Sequence, residues 1–180
     1  MQVIIEPEMF LTYMKGQGKL PKFVIPKKII FSYLPIKYPE VKNSNTTEKP
    51  VSHKFFGARF DLFENKKVGV VSQFGFGAPA LTIELELLVA MGAKEFIGVG
   101  TAGSISSELN VGDFMLCEKA LRGEGVSAHY ASSSEYSYPS EKLNLNIRNA
   151  FNGKKLNFYE GATWSTDAVY RETVDEGRKY

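Results

Sequence analysis

The fold is decided between residues 67 and 113, where the chain reads KVGVVSQFGFGAPALTIELELLVAMGAKEFIGVGTAGSISSELNVGD. Two short apolar runs, 68–71 and 96–99, are each followed directly by a glycine-rich turn. This order predicts a strand, a glycine loop, a helix, a strand and a second glycine loop, which is typical of parallel α/β sheets. We expect the two glycine loops to lie side by side at the carboxyl edge of the sheet, where such sheets bind ligands.

The segment between the loops, 79–91, carries two competing patterns. Residues 82–87 alternate between apolar and polar, which favours a strand, whereas the apolar residues of the whole segment fall on two helical faces. Pro79 suits the first turn of a helix, Gly92 suits its end, and the segment is long for a strand. We therefore predict a helix that is covered on both sides, by the sheet and by another subunit.

Shorter signals predict the rest of the chain, and they imply alternating strands and helices. Residues 1–50 are the least regular part, with six prolines. The further predictions are a hairpin turn at 64–67, a strand at 114–117, an ordered loop at 124–139, a helix at 141–151 capped by Ser140, a strand at 156–159 and a helical tail at 171–180. We expect an α/β fold of three layers, α/β/α, around a central mixed and largely parallel sheet.

Composition limits the class of protein. The 180 residues are 43% hydrophobic and 23% charged, which is ordinary for a globular protein and long enough for one domain, residues 1–180. A net charge of +2 is too small to indicate a nucleic-acid partner. The single cysteine, Cys117, excludes an internal disulfide, and only two histidines accompany it, so we expect no metal site.

The sequence also bears on location. Glu6 and Glu8 interrupt the apolar stretch at the N-terminus, unlike a signal peptide, and no apolar run is long enough to span a bilayer. Together with a single unpaired cysteine, these features predict a cytoplasmic protein that has no membrane partner.

The first glycine loop fits a relaxed dinucleotide fingerprint, Gly75-x-Gly77-x-x-Ala80. A dinucleotide-binding protein would place an acidic residue at the end of the next strand, but Gly100 and Thr101 stand there. In addition to an anion site, two other interpretations of this loop stay open. It is either a dinucleotide site or a tight strand-to-helix turn without a ligand.

Thr101 stands between Gly100 and Gly103 and combines a hydroxyl with neighbouring backbone N–H groups. Glycines in such turns let the backbone approach an anion closely. The two loops therefore predict a site for a small anionic or phosphate-dependent substrate.

Two further clusters each have two interpretations. The polar loop with Arg122, Glu124, His129 and Tyr130 either anchors itself or contributes to catalysis. Aromatic, guanidinium and carboxylate groups around 164–172 suit the recognition of a planar heterocycle, or else form a structural aromatic followed by a solvated helix.

Taken together, these segments resemble the nucleoside phosphorylase family, which includes uridine phosphorylase, hexameric bacterial purine nucleoside phosphorylase and methylthioadenosine nucleosidases. The resemblance covers residue 55 to the end and is closest to the uridine-phosphorylase-like branch. The matching motifs, in chain order, are Gly75-Phe76-Gly77-Ala78-Pro79, Gly100-Thr101-Ala102-Gly103, Val111-Gly112-Asp113, Arg122-Gly123-Glu124-Gly125-x-Ser127-x-His129-Tyr130 and Thr163-Trp164-Ser165-Thr166-Asp167-Ala168-x-Tyr170-Arg171-Glu172-Thr173.

The resemblance implies phosphate-dependent cleavage of the N-glycosidic bond of a pyrimidine nucleoside, giving a free base and ribose 1-phosphate. It implies no cofactor, with inorganic phosphate as co-substrate, and a homodimer or a hexamer built from dimers. It assigns phosphate binding to Gly77, Gly100, Thr101 and Lys54, with Lys54 reaching into a neighbouring subunit. It assigns nucleoside binding to Ala102, Gly103, Val169, Tyr170 and Arg171, and it names no catalytic acid or base.

The sequence departs from the family pattern in ways that bear on phosphate. Gly98 replaces a phosphate-binding arginine, and the Gly-Asp-Pro turn is absent, with residues 24–28 in roughly that region. We expect the loss of these elements to weaken phosphate binding by several kcal/mol unless Lys27, Lys28 or Lys54 compensates. The Gln-x-Arg pattern that recognises uracil is also absent, and Tyr180 precedes the family's Met-Glu segment. We therefore expect either a truncated chain or a naturally short relative that has lost chemistry. Two alternatives stay open, a nucleosidase and a catalytically silent protein that binds nucleoside or phosphate.

Overall fold

The computed structural model describes residues 3–34, 50–63 and 66–179. The chain divides into two compact units, Met1–Ala102 and Gly103–Tyr180, and each unit has its own sheet. The single domain expected from chain length stays a prediction.

The first unit is built on a five-stranded mixed sheet. Its elements in chain order are α1 (Pro7–Gly16), β1 (Lys28–Ser32), β2 (Val51–Phe55), β3 (Ala58–Phe63), β4 (Val68–Ser72), α2 (Gly77–Ala90) and β5 (Glu95–Val99). The strand order is β2-β3-β4-β1-β5, with β1 parallel to both β4 and β5 and with antiparallel pairs at β2–β3 and β3–β4. The predicted α/β class with a mixed sheet is confirmed.

One expectation about this sheet is wrong. The strands before the two glycine loops, β4 and β5, are not neighbours, because β1 lies between them and pairs with both. The apolar run Lys28-Ile29-Ile30-Phe31 can enter the centre of the sheet because Ile29 and Phe31 are buried there. The pattern of residues 67–113 alone cannot show a strand that comes from earlier in the chain.

The core of this unit lies between one face of the sheet and the helices. Phe55, Phe60, Val71 and Leu88 are fully buried, and Leu11 of α1 packs against the same cluster. A side chain at Gly69 would meet the ring of Phe60, since a Cβ atom there would lie only 2.4 Å from Phe60 Cζ. The strand therefore carries a glycine so that β4 can pass beneath this ring.

The helix predicted between the glycine loops is confirmed as α2, and it ends where expected. Gly92, just after its C-terminus, has a φ of +103°, a backbone conformation that favours glycine. Helix α1 was missed by the sequence pattern, because six prolines and irregular spacing dominate residues 1–50.

The second unit contains a three-stranded sheet. Its elements are β6 (Phe114–Gly123), a 3₁₀ turn at Ser127–His129, β7 (Tyr136–Ser137), α3 (Glu141–Gly153), β8 (Phe158–Thr166) and α4 (Val174–Lys179). Strand β6 is central, parallel to β8 and antiparallel to β7. The described strands are thus divided between two sheets, where the sequence predicted one central sheet.

The capping prediction for α3 is confirmed, since Ser140 Oγ accepts a hydrogen bond from the Leu143 N–H at 3.4 Å. Strands β6 and β8 both run several residues beyond the apolar signals that predicted them, and their parallel pairing extends to Gly123 and Thr166 with one irregularity between Cys117 and Lys119. No helix in the described ranges is long and apolar enough to cross a membrane.

Candidate functional site

Three parallel strands of the first unit end on one line. Ser72 of β4 and Val99 of β5 are both in register with Ser32 of β1. The segments that follow these strands therefore leave the sheet at the same edge. We call residues 32–34, 72–77 and 99–102 the carboxyl edge, which is where parallel sheets place ligand-binding loops.

The carboxyl edge brings together several of the predicted phosphate-binding residues. Gly77 is the first residue of α2, and Gly100 and Thr101 follow β5 directly, all three being exposed. The ends of β4 and β5 are two strand spacings apart, about 10 Å. Ala102, predicted to contact the nucleoside, extends the same segment and is also exposed. The structure places these residues on one edge, and their roles stay predictions.

The first glycine loop adopts a conformation that depends on glycine. Gly75 and Gly77 have φ values of +97° and +83°, and Phe76 between them is fully exposed. Phe76 is also the N-cap residue of α2, and no side chain caps this helix. The backbone N–H groups of the first turn are a favourable environment for an anion.

Lys54 is not brought to Thr101 within one chain. It lies on β2 in the cross-strand row Lys54, Arg59, Ser72, Ser32 and Val99. Four strand spacings separate β2 from β5, about 19 Å, which is farther than a lysine side chain reaches. A role for Lys54 in a neighbouring subunit stays a prediction.

Lys27 and Lys28 lie at the wrong end of β1 to bind phosphate at the carboxyl edge. Lys28 is in register with Val68 and Glu95, at the start of the neighbouring strands. It is four residues from Ser32, about 13 Å along the strand. Residues 24–28 therefore do not occupy the region of the missing phosphate turn, and Lys27 and Lys28 do not reach this edge within one chain. The segment that does follow β1 at this edge is Tyr33-Leu34.

Tyr33 is a residue of this edge that sequence reasoning missed. Its N–H donates a hydrogen bond to the Val99 carbonyl at 3.0 Å, and its ring packs edge-to-face on Phe74 with centroids 5.5 Å apart. The ring lies against the backbone of Gly98 and Gly100. Partial burial raises the pKa of Tyr33, so the phenol stays neutral. The available signal was its place directly after an apolar run, the same context as the glycine loops.

A buried charged group lies on β3, the strand that pairs with β2. The carboxylate of Asp61 is fully buried and accepts hydrogen bonds from Arg59 Nε, at 2.9 and 3.1 Å, and from the Ser52 hydroxyl. A buried carboxylate needs such partners. Arg59 is the cross-strand partner of both Lys54 and Ser72. The arginine of this ion pair therefore lies directly beside the predicted phosphate ligand Lys54.

In the second unit, the polar loop after β6 is held by its own side chains. Arg122 donates from Nε to Ser127 Oγ at 2.8 Å and from Nη1 to the Ser132 carbonyl at 2.7 Å. Glu124 accepts from the N–H groups of Val126 and Ser127. Burial alone would raise the pKa of Glu124, but these hydrogen bonds and the charge of Arg122 outweigh it and lower the pKa. This geometry favours the anchoring interpretation for both residues, although they line a cleft of about 250 Å³.

The predicted nucleoside-binding residues of the second unit are exposed. Val169, Tyr170 and Arg171 follow β8, with Tyr170 at 96% exposure, and Gly103 begins the unit. Asp167 Oδ2 accepts a hydrogen bond from the Gly125 N–H at 2.9 Å and so ties the end of β8 to the loop after β6.

Trp164 is partly buried, and a Cβ atom at Gly123 would lie only 2.6 Å from Trp164 Nε1. This packing favours the interpretation of Trp164 as a structural aromatic, and the alternative role in recognising a heterocycle stays a prediction. Among the described residues, no group of three His, Cys, Asp or Glu side chains could hold a metal ion.

Comparison with known proteins agrees with this architecture. The family model of the Phosphorylase superfamily matches residues 29–180. Uridine phosphorylase of Haemophilus influenzae is 32% identical over 101 residues, which are 56% of this chain and 40% of that protein. Uridine phosphorylase of Escherichia coli is 29% identical over 126 residues, 68% of this chain and 49% of that protein.

The fold is also found in a solved structure. Uridine phosphorylase of Vibrio fischeri superposes with a TM-score of 0.69 at 24% identity, covering 86% of this chain and 64% of that one. The chain thus matches less than half the length of the two curated relatives named above. The family model spans most of the sequence, and the chain therefore belongs to the Phosphorylase superfamily, in which it is uridine-phosphorylase-like.

Proposed function

We propose that this protein is a nucleoside phosphorylase that cleaves a pyrimidine nucleoside with inorganic phosphate. The observation that carries the proposal is the carboxyl edge, which places both glycine loops and the Thr101 hydroxyl on one side of the sheet in a chain of this superfamily. The uridine phosphorylases among its relatives support the choice of a pyrimidine base.

The reaction requires little covalent chemistry from the protein. A phosphate oxygen attacks C1′ of the ribose, the bond from C1′ to the base nitrogen breaks, and its electron pair leaves with the base. Thr101 Oγ1 and the N–H groups beside Gly100 would donate hydrogen bonds to the phosphate and hold it in position for attack. The products are the free base and ribose 1-phosphate. Inorganic phosphate is the second substrate, and the proposed reaction uses no cofactor.

The position of Lys54 supports a homodimer as the minimal active unit. Within one chain the lysine lies about 19 Å from the end of β5, so it would serve a phosphate held by a neighbouring copy. Its ammonium group would supply positive charge that the carboxyl edge lacks.

One observation favours hydrolysis as a second candidate function. The carboxyl edge, residues 32–34, 72–77 and 99–102, contains no charged residue. Lys27 and Lys28 lie at the opposite end of β1. Water needs no cation to be held beneath the sugar, whereas phosphate binding gains from one. A nucleosidase would use the same edge and release free ribose.

The test is release of free base from uridine, thymidine, inosine and adenosine, with and without phosphate. Phosphate-dependent release supports the phosphorylase, and the substrate that reacts identifies the base. Release that does not depend on phosphate points to the nucleosidase. Binding of a nucleoside without release of base points to the silent binding protein.

Thr101→Val is expected to raise the KM for phosphate about tenfold or more, because a hydrogen bond to a charged group is lost. The matched control is Thr12→Val, since Thr12 lies on α1 and its hydroxyl donates to the Glu8 carbonyl of the same helix. An unchanged phosphate KM in Thr101→Val would remove Thr101 from the site.

A further inference from the structure

The two glycines at the end of β5 lie directly against the ring of Tyr33. A Cβ atom at Gly100 would lie 3.0 Å from Cδ2 and 3.2 Å from Cβ of Tyr33, and one at Gly98 would lie 3.4 Å from Cε2 and 3.6 Å from the hydroxyl oxygen. Residues 98 and 100 point to the same face of the sheet, as alternate residues of a strand do. The Tyr33 side chain therefore covers that face from Gly100 back to Gly98.

Contacts on two further sides hold Tyr33 in this place. Its N–H donates a hydrogen bond to the Val99 carbonyl at 3.0 Å, which fixes the backbone beside β5. Phe74, from the segment after β4, meets the ring edge-to-face with centroids 5.5 Å apart, a favourable geometry for two aromatic rings. Tyr33 is thus held between β5 and the first glycine loop, although 54% of the residue remains exposed.

The space that this ring fills is space that an anion would need. A glycine lets an anion approach the backbone closely because it has no Cβ atom. At Gly98 and Gly100 the open face is occupied by Tyr33 instead. Gly98 is also the position at which the family pattern has a phosphate-binding arginine, and a side chain there would begin against the ring. On this face, the two glycines therefore make room for Tyr33 rather than for phosphate.

The ring does not supply the interactions that it displaces. Charged donors and backbone N–H groups bind phosphate strongly, whereas the face of an aromatic ring is electronegative and does not attract an anion. The N–H of Tyr33 already donates to the Val99 carbonyl, and the carboxyl edge contains no charged residue. Phosphate is left with the exposed segment at Thr101, beyond the part of β5 that the ring covers.

We propose that Tyr33 is a specificity-determining residue that restricts the phosphate subsite, because its ring occupies the face of Gly98 and Gly100 from which an anion would otherwise be held. This inference rests on the proposed function, which supplies phosphate as the ligand. Its consequence is weak binding of phosphate, so that water competes with phosphate for the same sugar. The ring restricts the subsite, and the hydroxyl is dispensable.

The experiment measures the dissociation constant of inorganic phosphate by calorimetry for the wild-type chain, Tyr33→Ala and Tyr33→Phe. Tyr33→Ala is expected to lower the dissociation constant about tenfold, which corresponds to one additional hydrogen bond to a charged group. Tyr33→Phe is expected to leave it within about twofold of the wild-type value, because the ring remains. The control is Tyr13→Ala on α1, where the tyrosine is similarly exposed at 62%, and phosphate binding should not change.

Three results would overturn the inference. The first is a dissociation constant that Tyr33→Ala leaves unchanged or raises, since the ring would then not stand in the way of phosphate. The second is a clear rise in Tyr33→Phe, because the hydroxyl would then be a phosphate ligand. The third is an absence of phosphate binding in both the wild-type chain and Tyr33→Ala.

A second pair of variants remains decisive if Tyr33→Ala does not fold. Tyr33→Leu keeps an apolar side chain over Gly100 and beside Phe74, but it removes the outer ring atoms and the hydroxyl that lie over Gly98. Gly98→Arg is prepared alone and together with Tyr33→Leu. The double variant is expected to bind phosphate about tenfold more tightly than Gly98→Arg alone, because only there can the guanidinium occupy the face. Equal dissociation constants would contradict the proposed restriction.

Binding and turnover separate this inference from the proposed function. A phosphate dissociation constant that falls in Tyr33→Ala, without release of base by any variant, supports the restriction and contradicts the phosphorylase. Phosphate-dependent release of base with the same phosphate KM in the wild-type chain and Tyr33→Ala supports the phosphorylase and contradicts the restriction. A change of the main sugar product from ribose in the wild-type chain to ribose 1-phosphate in Tyr33→Ala supports the restriction and identifies the wild-type chain as a nucleosidase.

Discussion

The first unit buries whole side chains, with Phe55, Phe60 and Val71 inaccessible to solvent. In the described part of the second unit, only Leu116 and Leu121 are buried apolar residues. The two units have sheets of five and three strands, so the difference is partly one of size. The units also differ in what stabilises them, because a smaller sheet buries less apolar surface and gains less free energy from the hydrophobic effect.

Hydrogen bonds from side chains to the backbone compensate in the second unit. Asp167 accepts from the Gly125 N–H, Asn144 donates to the Cys117 carbonyl, and Arg122 donates to carbonyls of the loop 131–134. Each such bond contributes modestly to stability but specifies a loop conformation. The comparison indicates that buried apolar side chains are concentrated in the first unit, and that side-chain hydrogen bonds specify the loops of the second.

The largest expected effect tests the core of the first unit. Phe60→Ala is expected to lower the free energy of unfolding by about 3–5 kcal/mol, because it leaves a cavity between Phe23, Phe55 and β4. The matched change in the second unit is Phe158→Ala, which removes a partly buried ring packed on Phe151 and is expected to cost less than half as much. Urea denaturation measures both, and equal losses would contradict the comparison.

A smaller effect concerns a polar group within the well-packed unit. Glu84 of α2 is 7% exposed, and its Oε2 atom lacks a hydrogen-bond partner in the described structure. Burial raises the pKa of Glu84 to about 7, above its ordinary 4.5. The folded protein therefore holds a proton that the unfolded chain has lost between these pH values. The contribution of this group to stability is full below about pH 4.5 and is lost as the pH rises through about 7.

Glu84→Gln is expected to remove this pH dependence, which amounts to about 3 kcal/mol, because an amide does not ionise. Thermal unfolding of the wild type and the variant between pH 5 and 8 measures the difference between their curves. Glu86→Gln on the same helix is the control and should leave the slope of the wild-type curve in place. Parallel curves for the wild type and Glu84→Gln would mean that the carboxyl is hydrated in solution.

The smallest effect tests the hydrogen-bonded loop of the second unit. Arg122→Ala is expected to lower the free energy of unfolding by about 1–2 kcal/mol, since its bonds to Ser127 and to the loop carbonyls are lost. Hydrogen exchange should show lost protection confined to residues 125–134, with the strands of the first unit unchanged. The control is Arg178→Ala, whose side chain is 78% exposed. Loss of protection throughout the chain would show that the units do not differ as described.

Prediction from sequence succeeded where the signal was local. Ser140 marked the start of α3, Gly92 marked the end of α2, and apolar runs located β4 and β5. It failed for the full length of β6 and β8, which continue beyond their apolar runs through segments that mix polar and small residues with Leu121 and Trp164, so that no continuous apolar run marks them.

The candidate site divides in the same way. Both glycine loops and Thr101 were found from sequence, because each follows an apolar run directly. Tyr33 was missed, because nothing local shows that β1 would enter between β4 and β5. Lys28 was misplaced for the same reason, since its end of β1 is known only from the register of that strand.

The sequence by itself determined the α/β class, the helices α2 and α3, the glycine loops and the membership of the Phosphorylase superfamily. These features depend on residues close together along the chain, through periodicity, capping and turn chemistry. The tertiary structure alone decided the strand order, the place of Tyr33 on the carboxyl edge and the distance of Lys54 from Thr101. Those features depend on pairing between strands about forty residues apart, such as 28–32 with 68–72, and that choice is made by burial and register across the whole sheet.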